Sequence, residues 1–214
     1  MYQNIFFDNI TKKIHLWDDT SGYRVIQYKK YAYVKDSYGQ SVSLYGDKVK
    51  KIFRWDDDQR GLFESDVNAE IRTLVDTYTD SDEPSTGHKR LYFDIEVEVT
   101  DGFPSVEKAE NKITSIAFYD ALMDEYYCYV LDERNRVKDS KVDNETIVSF
   151  DSEYDLLNKF FIKYMEIQPT ILSGWNIENF DIPYLYNRAC VVVGQDVANA
   201  LSPIKIVRWS NFKK

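Results

Sequence analysis

Cysteine is scarce, with only Cys128 and Cys190 in 214 residues. Two thiols are too few for a disulfide framework or a structural zinc centre, so a packed core in a reducing compartment is expected to hold the fold. Histidine is equally rare. His15 and His88 are the only two, and neither has a partner at metal-ligand spacing, so neither is taken as catalytic. Positive charge is not in excess. A net charge of −9 and a pI near 4.8 weigh against a free-standing module that grips nucleic acid through a basic surface. An acidic total is still compatible with a site that works through bound metal ions, because such cations reverse the sign locally. No apolar run is long enough to span a bilayer, and Asn4, Asp8 and Asn9 interrupt the first ten residues, which argues against a secretory leader. Internal repeats are also absent.

The chain does have ample core material. Hydrophobic residues make up 43% and aromatics 15%, and the length leaves room for one large or two small domains. Residues 1 to about 47 read as short strands, at Asn4–Phe7, Lys13–Trp17, Tyr23–Tyr28 and Tyr31–Val34, with Asp18–Gly22 as a hairpin-like connection. Tyrosines interleaved with Lys29, Lys30 and Lys35 have two readings, bases stacked on exposed rings or half-buried sheet aromatics. Val67, Ile71, Leu74 and Val75 fall at helical spacing, which predicts a helix over Ser65–Tyr78 capped by Ser65 or Asp66. Thr79–His88 is polar with Pro84 and Gly87, the composition of an interdomain connection.

The stretch Leu91–Glu98 is rich in aromatic and β-branched residues and reads as a strand. Alternation puts Asp94 and Glu96 on one face and Phe93, Ile95 and Val97 on the other. Paired carboxylates repel, and an all-oxygen pair of this kind suits Mg²⁺ or Mn²⁺; acids on a wet sheet face are the plainer alternative. Strands are predicted at Ile113–Phe118 and Tyr126–Leu131, completing an antiparallel meander. A helix over Asp151–Glu166 carries Leu156, Leu157, Phe160, Phe161, Tyr164 and Met165 as its apolar stripe and stops at Pro169. Pro169–Ser173 is a fourth strand, and a second helix covers Ile182–Val193 up to Gly194. Asp181, just ahead of Pro183, has the position of an N-cap.

Asp94-x-Glu96 and the set Asn176, Phe180 and Asp181 resemble the first two exonuclease motifs of family B DNA polymerases, DnaQ-like 3′-to-5′ proofreading nucleases with a ribonuclease H-like core. Phe93–Val97, Gly102–Pro104, Ile113–Ile116 and Gly174–Glu178 look like the replicative enzymes of T-even-like tailed phages, including those of marine cyanobacteria. The β-β-β-α-β-α order agrees. The resemblance implies an α/β protein of the α+β kind: an N-terminal mixed β-rich polymerase domain with its linker over 1–88, then an incomplete ribonuclease H-like exonuclease domain over 89–214.

It further implies two Mg²⁺ or Mn²⁺ ions when the site is complete, with Asp94, Glu96 and Asp181 as the catalytic, metal-holding residues. Asp94 would bridge both ions, Glu96 would hold the ion carrying the attacking water, and Asp181 would serve the other. Asn176 and Phe180 would shape the pocket for the terminal nucleotide, and Phe103 would meet unpaired bases. Implied partners are a single-stranded DNA 3′ end, primer–template DNA, the remaining polymerase part if the gene is split, and a sliding clamp with other replisome proteins, in the cytoplasm of an infected bacterium and not at a membrane.

The sequence departs from the family pattern in one respect. The third motif, Tyr-x-x-x-Asp, is expected after Asp181, yet the one aspartate there is Asp196, and Val192 stands where the tyrosine belongs. The lone Tyr-x-x-x-Asp, Tyr78–Asp82, lies ahead of the first motif. Tyr45-Gly-Asp47 resembles a polymerase palm signature only superficially, because Lys48 follows where a second aspartate is required, and it reads as a turn. By the resemblance the missing motif would supply a fourth metal carboxylate, so impaired nuclease activity is expected of this chain; palm, fingers and thumb also have no counterpart, so no DNA synthesis by the chain alone is expected. A non-enzymatic nucleic-acid-binding or polymerase-assembly module is the alternative. The basic tail Pro203–Lys214 reads as a solvated end.

Overall fold

The structure is a computed structural model that describes residues 1–56, 58–81, 83–100 and 102–208. Asp82, Asp101, and Lys213 and Lys214 of the basic tail lie outside the described residues. The chain divides into two units, Met1–Gly87 and His88–Lys214. Its class is α+β.

In the first unit, β1 (Tyr2–Asp8), β2 (Lys13–Asp18) and β3 (Gly22–Gln27) form an antiparallel meander. Aspartates close its turns. Asp8 accepts from the Ile10 N–H at 3.0 Å and the Thr11 hydroxyl at 2.8 Å, and Asp18 accepts from the Thr20 and Ser21 N–H groups at 2.9 and 2.8 Å. A second sheet contains β4 (Ala32–Lys35), β5 (Ser41–Val42), β6 (Lys48–Ile52) and β7 (Leu62–Phe63), in the order β5-β6-β4-β7. Tyr45-Gly46-Asp47 is the turn between β5 and β6, with Gly46 at φ 81° and Asp47 paired to Lys35 at 2.8 Å.

Helix α1 spans Ala69–Thr77 and is capped by Asn68, whose Oδ1 accepts from the Glu70 N–H at 2.7 Å. The expected start at Ser65 is therefore too early, and neither Ser65 nor Asp66 is the cap. The expected apolar face is wrong as well. Ile71 and Val75 are exposed, whereas Arg72 and Thr73 are buried. Arg72 stacks on the Tyr31 ring at 4.1 Å and pairs with Glu64 at 2.5 Å, so a cation with its charge satisfied occupies the inner side.

The second unit is built on one six-stranded sheet. Its strands are β8 (Arg90–Val97), β9 (Ile113–Asp120), β10 (Glu125–Leu131), β11 (Ser140–Val142), β12 (Glu145–Phe150) and β13 (Ile171–Ser173), in the order β11-β12-β10-β9-β8-β13. The β8-β9-β10 meander is antiparallel, as expected. β11 and β12 are additions to the expected set, and β12 runs parallel to β10.

Helix α2 (Glu153–Ile167) begins at Ser152, whose Oγ accepts from the Asp155 N–H at 3.2 Å, and ends with Gln168 in the left-handed region before Pro169. Helix α3 (Asp181–Val192) is followed by the short α4 (Gln195–Ala198) and a 3₁₀ turn. Leu91, Phe93 and Ile95 of β8 pack with Leu156, Leu157, Phe160 and Phe161 of α2 and with Tyr184, Leu185 and Ala189 of α3. Each large side chain buried there stabilises the fold by about 1.5–3 kcal/mol. Met165 alone of the expected α2 stripe is exposed. Among the described residues, no helix is long and apolar enough to cross a membrane.

Candidate active site

Strand β8 alternates strictly. Leu91, Phe93 and Ile95 are buried, while Tyr92, Asp94 and Glu96 open onto the other face. The two acids therefore share the uncovered side of the sheet, as period-two geometry requires. On one edge β8 pairs with β9. On the other, β13 pairs only as far as Ser173 opposite Tyr92. The chain then leaves the ladder at Gly174, where an added Cβ would lie 2.4 Å from the Phe93 carbonyl oxygen, so only glycine fits.

Asn176 follows at φ 56°. Its carbonyl accepts from the Asn179 and Phe180 N–H groups at 3.0 Å each, and its side chain accepts from the Asn179 amide at 3.1 Å, so it shapes its own turn. That turn delivers Asp181 to the unpaired edge of β8. Asp181 Oδ1 accepts the Ile95 N–H at 3.1 Å and takes over from a missing strand. The cap position itself belongs to Phe180, and no side chain caps α3. Asp181 is thus not the N-cap the sequence suggests, because its carboxylate turns into the protein and is only 3% exposed.

Burial pushes the Asp181 carboxyl above its ordinary value. The negative charges of Asp94 and Glu96 raise it further, against the lowering effect of the Ile95 N–H. Asp94, Glu96 and Asp181 are thus electrostatic neighbours. They do not form a closed cage: among the described residues, no three His, Cys, Asp or Glu side chains are gathered tightly enough to hold a metal. In kind, however, three hard oxygen donors around an excess of negative potential fit a Mg²⁺- or Mn²⁺-type ion.

Phe103 is 82% exposed, and its ring stands 5.2 Å from that of Phe180, which lies 5.4 Å from Tyr184. Two aromatics 77 positions apart in sequence thus meet beside Asp181. The carboxylate face also opens into a furrow of about 580 Å³, which runs from Asp94 past Trp175, Tyr92, Tyr119 and Tyr126 to Glu145 and Ile147. Tyr119 and Tyr126, both lining it, are stacked at 4.2 Å.

Sequence reasoning misses one group. Arg188 of α3 pairs with the buried Glu153 of α2 at 2.6 Å, and Glu153 also accepts the Ile113 N–H at 2.8 Å. The spacing of Tyr184, Asn187 and Arg188 on one helix face is the signal that could have pointed there. His15 meets the Tyr23 hydroxyl at 2.7 Å, and His88 Nδ1 lies 3.2 Å from the Thr170 hydroxyl.

Residues 56–212 match the family described as DNA polymerase family B, exonuclease domain. The DNA-directed DNA polymerase of Escherichia phage RB69 is 34% identical over 137 residues, which is 54% of this chain and 15% of that protein. The DNA-directed DNA polymerase of Enterobacteria phage T4 is 30% identical over 135 residues, 53% of this chain and 15% of that protein. DNA polymerase 1 of Saccharolobus solfataricus is 38% identical over 139 residues, 58% of this chain and 15% of that protein. The matched part therefore spans about a seventh of these relatives' length.

Proposed function

The chain belongs to the family B DNA polymerase exonuclease-domain family, and from that premise we propose that it is the N-terminal part of a phage replicative polymerase, carrying part of a two-metal 3′-to-5′ proofreading exonuclease. In this reading residues 1–88 are the N-terminal polymerase domain with its linker, and 89–214 are a ribonuclease H-like exonuclease domain. The observation that carries it is the bond from the Ile95 N–H to Asp181, which sets the second-motif acid against the strand residue between Asp94 and Glu96.

Asp94, Glu96 and Asp181 would hold the divalent ions. When bound, such ions offset the charge of a reacting phosphodiester and make water acidic enough to attack near neutral pH. The protein's own part is positional. Asp94 and Glu96 are held rigidly on β8, Asp181 is held by a backbone N–H, and the pair Phe103 and Phe180 offers a face on which an unpaired base at a 3′ end can stack. Asn176 shapes the turn that brings Phe180 and Asp181 to the site. The substrates would be a single-stranded 3′ end and primer–template DNA. The remaining polymerase part, a sliding clamp and other replisome proteins would be partners in the infected cell's cytoplasm.

No Tyr-x-x-x-Asp follows Asp181 in these 214 residues, and their nuclease activity in isolation is expected to be low. Titration of the purified chain with Mn²⁺, followed by digestion of 5′-labelled single-stranded DNA, tests the reading. Mn²⁺ binding that disappears in Asp94→Ala, with slow digestion, is the expected result. Digestion at ordinary proofreading rates would overturn the impairment, and absence of both metal and DNA binding would overturn the nuclease reading.

A further inference from the structure

Helix α3 presents three side chains, Tyr184, Asn187 and Arg188, along one stripe. All three donate to carbonyl oxygens of a single segment. The Tyr184 hydroxyl reaches Asn111 O at 2.9 Å, Asn187 Nδ2 reaches Val106 O at 2.7 Å, and Arg188 Nη1 reaches Ala109 O at 3.1 Å and Glu110 O at 2.8 Å. The other side of the Arg188 guanidinium is fixed by Glu153, at 2.9 Å through Nε and 2.6 Å through Nη2. The segment needs this support. Ala109 sits at φ 44°, a left-handed conformation unfavourable for any residue with a Cβ, yet it is buried. Three residues before Val106 stands Phe103, whose ring faces Phe180 at the start of the same helix.

We propose that Asn187 and Arg188 are positioning residues, which fasten the 106–111 segment to α3 and thereby hold Phe103 against Phe180 beside Asp181. Helix α3 then fixes both the buried acid and the aromatic pair. A displacement of the segment opens the pair while leaving the carboxylates on β8 in place. The functional half, that this pair receives an unpaired base, rests on the exonuclease reading above. The tether itself does not.

The test uses the full chain labelled with 4-fluorophenylalanine. The Phe103 fluorine resonance is assigned by its loss in Phe103→Leu, and it is followed in Asn187→Leu, which removes the Val106 contact, and in Arg188→Lys. The lysine keeps a positive charge beside Glu153 but loses the guanidinium fork, so the buried carboxylate stays compensated and the chain folds. The Phe103 resonance is expected to shift or broaden in both variants, while those of Phe160 and Phe161 in the core stay put. Affinity for an oligodeoxythymidylate with a free 3′ end is expected to fall about tenfold in each, matching Phe103→Leu.

An unmoved Phe103 resonance overturns the tether whatever the DNA does. A moved resonance with unchanged affinity overturns the positioning role. A moved resonance in a chain that fails to bind the oligonucleotide even as wild type sustains the tether and overturns the base-receiving role of the pair instead.

Discussion

Asp181 accepts a hydrogen bond from the backbone of Ile95, the residue that separates Asp94 from Glu96. A side chain 86 positions away in sequence thus occupies the edge of the strand that carries the other two acids. The bond holds the site together against charge repulsion, and several consequences can be measured.

Asp181→Asn keeps an oxygen for the Ile95 N–H and removes a buried charge that Asp94 and Glu96 oppose. Its melting temperature at pH 7 is expected to equal or exceed that of the wild type, while Mn²⁺ binding weakens. A lower Tm with intact Mn²⁺ binding would contradict the assignment of Asp181 as a strained site carboxylate.

Gly174→Ala places a methyl 2.4 Å from the Phe93 carbonyl oxygen, and a backbone atom cannot step aside without moving β8. A loss of about 1–3 kcal/mol is expected in urea unfolding. Faster amide exchange should be confined to Leu91–Ile95 and β13. An unchanged midpoint would show that the exit from β13 tolerates a side chain.

Arg188→Met strands the Glu153 carboxylate in the core. Breaking a buried pair from one side costs about 3–5 kcal/mol, whereas the double variant Arg188→Met with Glu153→Leu is expected to recover part of that loss. Additive losses in the double-mutant cycle would mean that the two side chains are not energetically coupled.

Stability in acid follows the turn aspartates of the first unit. The Tyr78 hydroxyl and the N–H groups of Ser21 and Thr20 hold the Asp18 carboxyl well below its ordinary 3.8, and the chain amino group with the Thr86 N–H lowers Asp19 to about 2. A depressed carboxylate contributes stability that is complete above its ordinary pKa and is lost as pH falls through the lowered one. Asp18→Ala is therefore expected to cost about 1–3 kcal/mol at pH 7, because partly buried donors lose their acceptor. Below pH 4 the gap to wild type should narrow. A gap that is constant from pH 7 to pH 2 would rule out this role for the charge.

Phe103→Ala removes an exposed ring and should leave the unfolding midpoint within about 0.5 kcal/mol of wild type. Affinity for a single-stranded 3′ end is expected to drop about tenfold. Equal affinity in fluorescence anisotropy would remove Phe103 from the binding face.

The strand Arg90–Val97 was legible because eight residues alternate without a break, and the class of fold followed from the meander and the helices with strong apolar periodicity. Helix α1 misled because its inner side is Arg72, whose charge is met by Glu64 and the Tyr31 ring; no hydropathy pattern marks a satisfied cation as inside. The role of Asp181 was ambiguous for a related reason. An acid ahead of a proline reads as a cap, and only tertiary structure shows that β13 stops short and leaves the Ile95 N–H to be met by a side chain. The meeting of Phe103 with Phe180 joins distant stretches and carries no periodic signature.

The parallel pairing of β12 with β10 sets Glu145 and Ile147 on the bank of the furrow opposite Asp94. That bank comes from a hairpin with no ladder bond to β8, so its width and polarity can be re-tailored by substitution without retuning the acids. The furrow's far bank and the acids are thus independently adjustable parts of one sheet.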